Sequence, residues 1–548
     1  MSGFTMAVSA VIELLGQMAF SFTRSVMEHY NPEEPEFTAE SFGFNYLEDS
    51  RRQWYSYPVD EFIYQEYDDR KGINTSYLAA RSINVTVVNA FCTKEEETPK
   101  SIGNQQEDRA MAWKRLRPSF LHTISKSLYI GALISLLAAT ILGAEYLLLS
   151  YVSYKTFAHC KYFPKKLIPH SVQWTITECD VIACGIFYVC SFCHTILLFL
   201  QHQIQGLKTN LVLICCLFYC FDALYRVILQ VIGRPFFLES SVYKVPMYVL
   251  YAASYCLQLC YLARKFGMRS RPREASLICK LVTPLIFAFT VASAAVYFIY
   301  PAYKWQHKSG HGRLLIAIFS PLTGVTAKVI SRICVQRLWN ITHPGYSYIL
   351  LAPLYFSTAV IFRVLQAELG SLLYIAALGI IHGITEVVER SVMVAVDHCC
   401  HQLWRRELAS WGSFRTPRRE RLMADIAIMS MMFESTAIVS VNGFLFFYQY
   451  FYLENDSLLT LLRSFSITVL VQMVIEWFFT SASLAIETRY QNLPVMAVWQ
   501  RRWKRFVLVA SVTTIPIAMW TSGNLLMVIN ENFEAPSIAN RSCKMPFT

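Results

Sequence analysis

Long apolar segments follow one another along most of this chain. From Ser127 onward, runs of about 20 apolar residues recur, each long enough to cross the hydrocarbon core of a bilayer as a helix. Because these runs are continuous rather than alternating, they predict helices and not the strands of a membrane barrel. The pattern predicts an all-α polytopic membrane protein of about eleven transmembrane helices. The predicted spans are residues 127–150, 177–200, 209–231, 245–263, 279–300, 313–331, 347–366, 369–391, 424–451, 460–485 and 505–528.

The chain before the first span has a different character. Residues 5–22 are apolar, but they contain Glu13 and no Lys or Arg precedes them, which argues against a secretion signal. An interfacial helix is favoured, with a membrane span as the alternative. Residues 28–70 hold twelve acidic and eleven aromatic side chains, and residues 93–108 form a polar linker. Disordered segments are usually poor in aromatic residues. We therefore expect the acidic segment to dock on basic cytosolic loops of the same chain.

Lysine and arginine are distributed unevenly between the connections. Three connections are strongly basic: 264–273, 405–421 and 489–505. The connection after the ninth span instead carries only the charges of Glu454 and Asp456. By the positive-inside rule, the basic stretches face the cytosol. The predicted domains are a cytosolic N-terminal segment at 1–126, a transmembrane domain at 127–531 and an outer C-terminal tail at 532–548.

Two covalent features fall on the outer side in this topology. Asn540 begins the sequon Asn-Arg-Ser in the C-terminal tail and is therefore a glycosylation candidate. Cys160 and Cys179 lie near the connection between the first two spans. Because disulfides persist in oxidising compartments, a disulfide between these two cysteines is predicted.

The composition agrees with a membrane location. Hydrophobic residues make up 54% of the chain and charged residues 16%, against about 25% charged residues in soluble domains. The formal net charge of +11 follows from the basic connections, and no nucleic-acid-binding motif accompanies it. The expected partners are the lipid bilayer, in the plasma membrane or an endomembrane, and a small solute or ion, with no nucleic acid.

Ionisable side chains inside the spans are the candidates for function, because a charge at bilayer depth costs about 2.5–3.5 kcal/mol on insertion scales. Asp222 and Arg226 are four residues apart in the third span, with the acid first, so they can pair on one helix face. This pair either locks helix packing or opens when a solute arrives. Lys328 and Arg363 are expected to extend towards the lipid headgroups.

Three further spans carry polar groups at depth. His382 and Glu386 are one helical turn apart in the eighth span, and Glu434 lies well inside the ninth. The tenth span has a hydroxyl, amide or carboxylate at every fourth position: Ser464, Thr468, Gln472, Glu476 and Thr480. Such spacing keeps side chains on one helix face. The stripe either lines a membrane path or bonds neighbouring helices together.

These features favour a transporter or channel that moves a small solute or ion through a polar cavity, coupled to a proton or cation. In this hypothesis Glu434 and Glu476 carry the ion, while Asp222 and Arg226 form a gate or bind the solute. The buried carboxylates are the main support for it, because hydroxyls and amides suffice to hold helices together.

A membrane-embedded enzyme acting on a lipid is one alternative, with His382 and Glu386 as acid–base candidates. A polytopic receptor or scaffold is the other. The chain has no GxSxG, DxD, histidine-box or GxxxxGK[ST] motif. No catalytic residue, metal site or cofactor is therefore assigned, and ATP-driven transport by this chain alone is not expected.

Overall fold

A computed structural model describes most of the chain from Phe120 onward. The described residues are 120–158, 160, 167–198, 207–238, 241–265, 271–300, 302, 324–336, 338, 346–367, 372–405, 417–450, 457–491, 493, 495–532, 543 and 545. The predicted N-terminal features, at residues 5–22, 28–70 and 93–108, and the sequon at Asn540 lie outside them. Within the described residues the regular structure is helical and contains no strand. This part of the chain confirms the predicted all-α class.

The described residues form eleven helical segments in chain order. They are α1 Phe120–Thr156, α2 His170–Leu198, α3 Lys208–Val231, α4 Ser241–Lys265, α5 Arg271–Ala294, α6 at residues 324–336, α7 Ala352–Ala367, α8 Leu372–Arg405, α9 Pro417–Tyr448, α10 Leu458–Arg489 and α11 Val495–Asn532. A π-helical segment, Ala138–Leu142, interrupts α1. There the hydroxyl of Thr140 donates a hydrogen bond to the carbonyl of Leu136, 2.7 Å away, which competes with the regular helical bonds.

Eight of the described helices are long and apolar enough to cross a membrane by length and composition. They are α1, α2, α3, α4, α8, α9, α10 and α11. The apolar part of α5, Ile278–Ala294, is shorter, and α6 and α7 are described over fewer residues still. The architecture is thus that of a helical membrane protein by composition, while the count of about eleven spans and their orientation remain predictions.

Helix α9 forms the centre of the bundle. Its membrane-length window is 94% buried inside the protein, against 11% for α10 and 22% for α3. Contacts with α1, α7, α10 and α11 surround it. Small side chains allow this close approach, as where Gly143 of α1 meets Val439 and Gly443 of α9 meets Leu147. Polar side chains on α9 therefore face other helices and not lipid.

Helix α7 packs against both of two groups of helices. On one side, α2, α3, α4, α5 and α11 form a ring of successive contacts that closes on α7. On the other side, α6, α8, α9 and α10 pack together, with α6 and α8 running parallel and α9 and α10 antiparallel. Each group encloses one of the polar sites that the sequence predicted.

The predicted disulfide between Cys160 and Cys179 is wrong. Cys160 is joined to Cys543 of the C-terminal segment, with the two Cα atoms 5.3 Å apart, and Cys179 is free. Cys179 lies nine residues into α2, roughly 14 Å along the helix axis from its start, which removes it from the connection. The bond places the α1–α2 connection beside the C-terminal segment, on one side of the bundle.

Candidate functional site

Arg363 of α7 is the centre of a buried ionic cluster. Its Nη2 lies 2.5 Å from Glu476 Oε2 on α10 and 3.2 Å from Glu434 Oε2 on α9. All three residues are at least 95% buried. One guanidinium thus serves two carboxylates from different helices, which is favourable only because it can donate several hydrogen bonds at once. The expected extension of Arg363 towards the headgroups is wrong, since its side chain points back into the bundle.

His382 of α8 joins the same cluster. Its ring stacks on Phe362 of α7, with the ring centroids 3.8 Å apart, and its Nε2 lies 3.3 Å from Glu434 Oε2. His382 and Glu386 are one turn apart in α8, and both lie beside α9. Ser430 of α9 donates a long hydrogen bond to Glu386 Oε1 at 3.4 Å. His382, Glu386, Glu434 and Glu476 therefore lie within one part of the interior.

Arginine and carboxylate pairs extend the cluster along α8. Arg390 donates two hydrogen bonds to Glu487 of α10, at 2.8 and 2.7 Å, and its Nη1 lies 3.6 Å from Glu386 Oε1. On α6, Lys328 Nζ is 3.4 Å from Glu389 Oε2, and Arg332 binds Asp397 at 3.1 Å. Lys328, like Arg363, faces protein rather than headgroups.

We refer to these side chains as the ionic cluster. Its members are Lys328, Arg332, Arg363, His382, Glu386, Glu389, Arg390, Asp397, Glu434, Glu476 and Glu487. They come from five helices, α6 to α10. Only the pair Glu386 and Arg390 is local along one helix, so the cluster depends on the tertiary packing of these helices.

The polar stripe on α10 divides between two environments. Glu476 and Gln472 are buried, and Gln472 accepts a hydrogen bond of 3.2 Å from Asn442 of α9. Thr480 donates to Glu476 Oε1 at 3.1 Å. Thr468 is half-buried and Ser464 is exposed. The stripe therefore bonds α10 to its neighbours over its buried part and does not line one continuous path.

Asp222 and Arg226 form a second site, apart from the ionic cluster. Arg226 Nε donates to Asp222 Oδ1 at 3.1 Å, as predicted for this helix face, and its Nη1 also donates to Asp180 of α2. Cys184 donates through its thiol to Asp222 Oδ2 at 3.0 Å. The guanidinium carbon of Arg226 lies 4.4 Å from the ring centroid of Phe236. The sequence did not predict Asp180 as part of this site, because it lies near the outer end of the predicted span 177–200, where an acidic side chain is expected at the membrane interface.

A cavity of about 630 Å³ adjoins this second site. Asp180, Asp222, Arg226 and Lys244 provide its charged lining. Most of the remaining wall is apolar or aromatic, contributed by α2, α4, α5, α7 and α11: Phe187, Tyr188, Tyr251, Tyr255, Phe289 and Trp520 are examples. This size lies within the range of small-molecule sites, roughly 300–1,000 Å³, and the combination of apolar walls with a few polar groups is typical of them.

The cavity reaches the outer surface of the bundle between α4 and α5. Tyr248 of α4 and Ile286 and Phe289 of α5 line it, and each is about half exposed on the outside of the bundle. Pro246 lies inside α4 and Pro284 inside α5, each removing one helical hydrogen bond near this surface.

No metal site is found in the part of the chain that the structure describes. Within it, no three His, Cys, Asp or Glu side chains come together in a way that could hold a metal ion. Arginine side chains instead lie between the carboxylates of the ionic cluster. His382 and Glu386, considered for acid–base chemistry, belong to that cluster and do not line the cavity.

Comparisons with known protein families, curated proteins and solved structures return no match to this chain. Its function is therefore inferred from the geometry of the cavity and of the ionic cluster.

Proposed function

We propose that this chain is a multi-pass membrane transporter that binds an amphipathic solute in the cavity between α2, α3, α4, α5, α7 and α11. The observation that carries the proposal is the cavity itself, with apolar and aromatic walls and charged groups gathered at Asp180, Asp222, Arg226 and Lys244. An apolar wall binds a hydrocarbon or aromatic body, and the charged groups orient a polar head.

The balance of charge at the cavity favours a zwitterionic head. Two carboxylates and two cationic side chains line it, so a solute with a single net charge gains at one pair and is repelled at the other. In a zwitterion, the anionic group would face Arg226 or Lys244 and the cationic group Asp180 or Asp222. The solute class is thus an amphiphile with one apolar body and a zwitterionic head.

The position of α7 between the cavity and the ionic cluster supports transport rather than passive binding. Ser357, Val360 and Ile361 of α7 line the cavity, while Phe362 stacks on His382 of the ionic cluster and Arg363 belongs to that cluster. A shift of this one helix would alter the cavity wall and the charge contacts together. Such a shared element would link the two sites if the protein alternates between two states.

The proposal is tested with the full-length protein in proteoliposomes. The probe is lysophosphatidylcholine carrying a nitrobenzoxadiazole fluorophore, and its translocation is followed by dithionite quenching of the outer leaflet. We expect translocation above that of protein-free vesicles. Filling the cavity with Ala292→Phe should abolish it, because Ala292 lines the wall. Val249→Phe, at a lipid-exposed position of α4 outside the cavity lining, should leave it unchanged.

A second pair of variants tests the charged end. Asp180→Asn should slow translocation of the probe, whereas Glu178→Gln, two residues away and exposed, should not. Binding without translocation would show a lipid-binding receptor or scaffold and overturn the proposal. Equal rates in wild type and Ala292→Phe would overturn it as well, and conversion of the probe to a new product would show an enzyme.

A further inference from the structure

The ionic cluster contains more carboxylates than cationic partners. Among its members are six carboxylates, on Glu386, Glu389, Asp397, Glu434, Glu476 and Glu487, but four Lys or Arg side chains. Buried carboxylates without a partner are costly as anions. His382 beside Glu434 and Arg419 of α9 near Asp397 can offset part of this excess, and a bound proton or metal cation would neutralise the rest.

The contacts show which carboxylate lacks a close cationic partner. Glu389 and Asp397 have Lys328 and Arg332 as partners, while Glu434 and Glu476 share Arg363. The bidentate bonds of Arg390 go to Glu487 on α10, which leaves Glu386 as a second, more distant neighbour at 3.6 Å.

Glu386 itself is 6% exposed and incompletely bonded. Its Oε1 accepts one long hydrogen bond from Ser430, and its Oε2 has no hydrogen-bond partner. Glu476 and Glu434 repel a negative charge on it. The charged and titratable groups around it are Lys328 of α6, Arg363 of α7, His382, Glu389 and Arg390 of α8, Glu434 of α9, and Glu476 and Glu487 of α10.

A proton fits this position better than a metal ion does. A hard cation such as Ca²⁺ needs six or more oxygen ligands, and even Zn²⁺ needs about four ligands. The described residues contain no such set of ligands. The guanidinium of Arg390 also lies close to Glu386, so its positive charge would repel a metal ion bound there. A proton on Oε2 removes the unpaired charge and turns that atom into a donor, without disturbing the bonds between Arg390 and Glu487.

We propose that Glu386 is the site where the ionic cluster binds and releases the proton that drives transport. The coupling part of this inference rests on the proposed function. When Glu386 loses its proton, it competes with Glu487 for Arg390, and this competition changes the contact between α8 and α10. Arg363 and His382 transmit the change to α7, whose other face lines the cavity.

Proton binding is tested without any solute, using infrared spectroscopy of the full-length protein in lipid. Titration of the wild type should show a carbonyl band of a protonated carboxylic acid that disappears at alkaline pH. Glu386→Gln, which is isosteric, should lack this band, and Glu178→Gln should retain it. Ser430→Ala keeps the carboxyl group but removes its hydrogen-bond donor, so the band should persist and titrate at a different pH. An unchanged band in Glu386→Gln overturns the assignment.

Coupling is tested with the same fluorescent lysophosphatidylcholine in proteoliposomes with an imposed pH gradient. We expect the wild-type rate to depend on the direction of a gradient of one pH unit, because the protonated fraction of a single group changes by up to about tenfold per pH unit. Glu386→Gln should translocate at one rate in both directions, and Glu386→Asp should recover part of the difference.

The two proposals fail in distinguishable ways. If Glu386→Gln keeps the gradient dependence while Ala292→Phe abolishes translocation, the cavity carries the solute and Glu386 does not couple it. If the infrared band is lost in Glu386→Gln but no variant affects the probe, Glu386 binds a proton and the proposed solute transport is wrong.

Discussion

Arg363 and Glu476 form an ion pair of 2.5 Å between α7 and α10, in the interior of the bundle. They are 113 residues apart in the chain. Because the same guanidinium also holds Glu434 of α9, it ties three helices together. Removing one member of such a buried set is far more damaging than the net stabilisation that the set provides, because the remaining charges are left unpaired.

Arg363→Gln should therefore lower the free energy of unfolding by about 3–5 kcal/mol. Thermal unfolding of the purified protein in detergent measures this loss. Adding Glu476→Gln to the same protein should restore part of it, since one of the two unpaired carboxylates is removed. The matched control is Arg463→Gln at an exposed position of α10, and equal loss in the control would contradict the role of Arg363.

Gly383 of α8 should not tolerate a side chain. A Cβ atom there would lie 2.2 Å from Cδ2 of Phe479 on α10, so the ring or the helix must move. We expect Gly383→Ala to cost about 1–3 kcal/mol by overpacking. Unfolding measurements on a double-mutant cycle with Phe479→Ala check the cause: the two losses should not add, because the smaller residue removes the clash. Additive losses would mean that another contact is responsible.

The disulfide can be verified directly. Mass spectrometry of a non-reduced digest should contain a peptide pair linking Cys160 and Cys543. Cys160→Ser and Cys543→Ser should lower the melting temperature equally, because each removes the same bond, whereas Cys179→Ser should not. A linked pair of Cys160 and Cys179 would refute the connection seen here.

Arg226 should determine which headgroup the cavity accepts. Without this cation, Asp180 and Asp222 make the charged end anionic, since Lys244 alone remains to balance them. Arg226→Gln should therefore favour a hydrophobic amine over lysophosphatidylcholine in competition for translocation of the fluorescent probe. Arg226→Lys retains the charge and should keep the wild-type preference. If Arg226→Gln keeps the wild-type preference, this arginine does not take part in solute recognition.

Continuous apolar runs were sufficient to predict the helical class, because a helix that crosses lipid must satisfy its own backbone hydrogen bonds and expose apolar side chains. Local spacing also predicted the pairing of Asp222 with Arg226, since residues four apart on a helix lie side by side. The buried part of the α10 stripe, from Gln472 to Thr480, follows from the same rule.

Pairing between distant segments was decided by the tertiary structure alone. Whether Arg363 extends to the headgroups or turns to Glu434 and Glu476 depends on which helices pack against α7. The residue pattern of α7 alone does not identify those helices. The same holds for Cys160, whose partner lies 383 residues away, and for the cavity, which exists only where six helices leave space between them. The apolar pattern of a helix indicates whether that helix lies in an apolar environment. The partners of its buried charges are instead determined by the helices that pack against it.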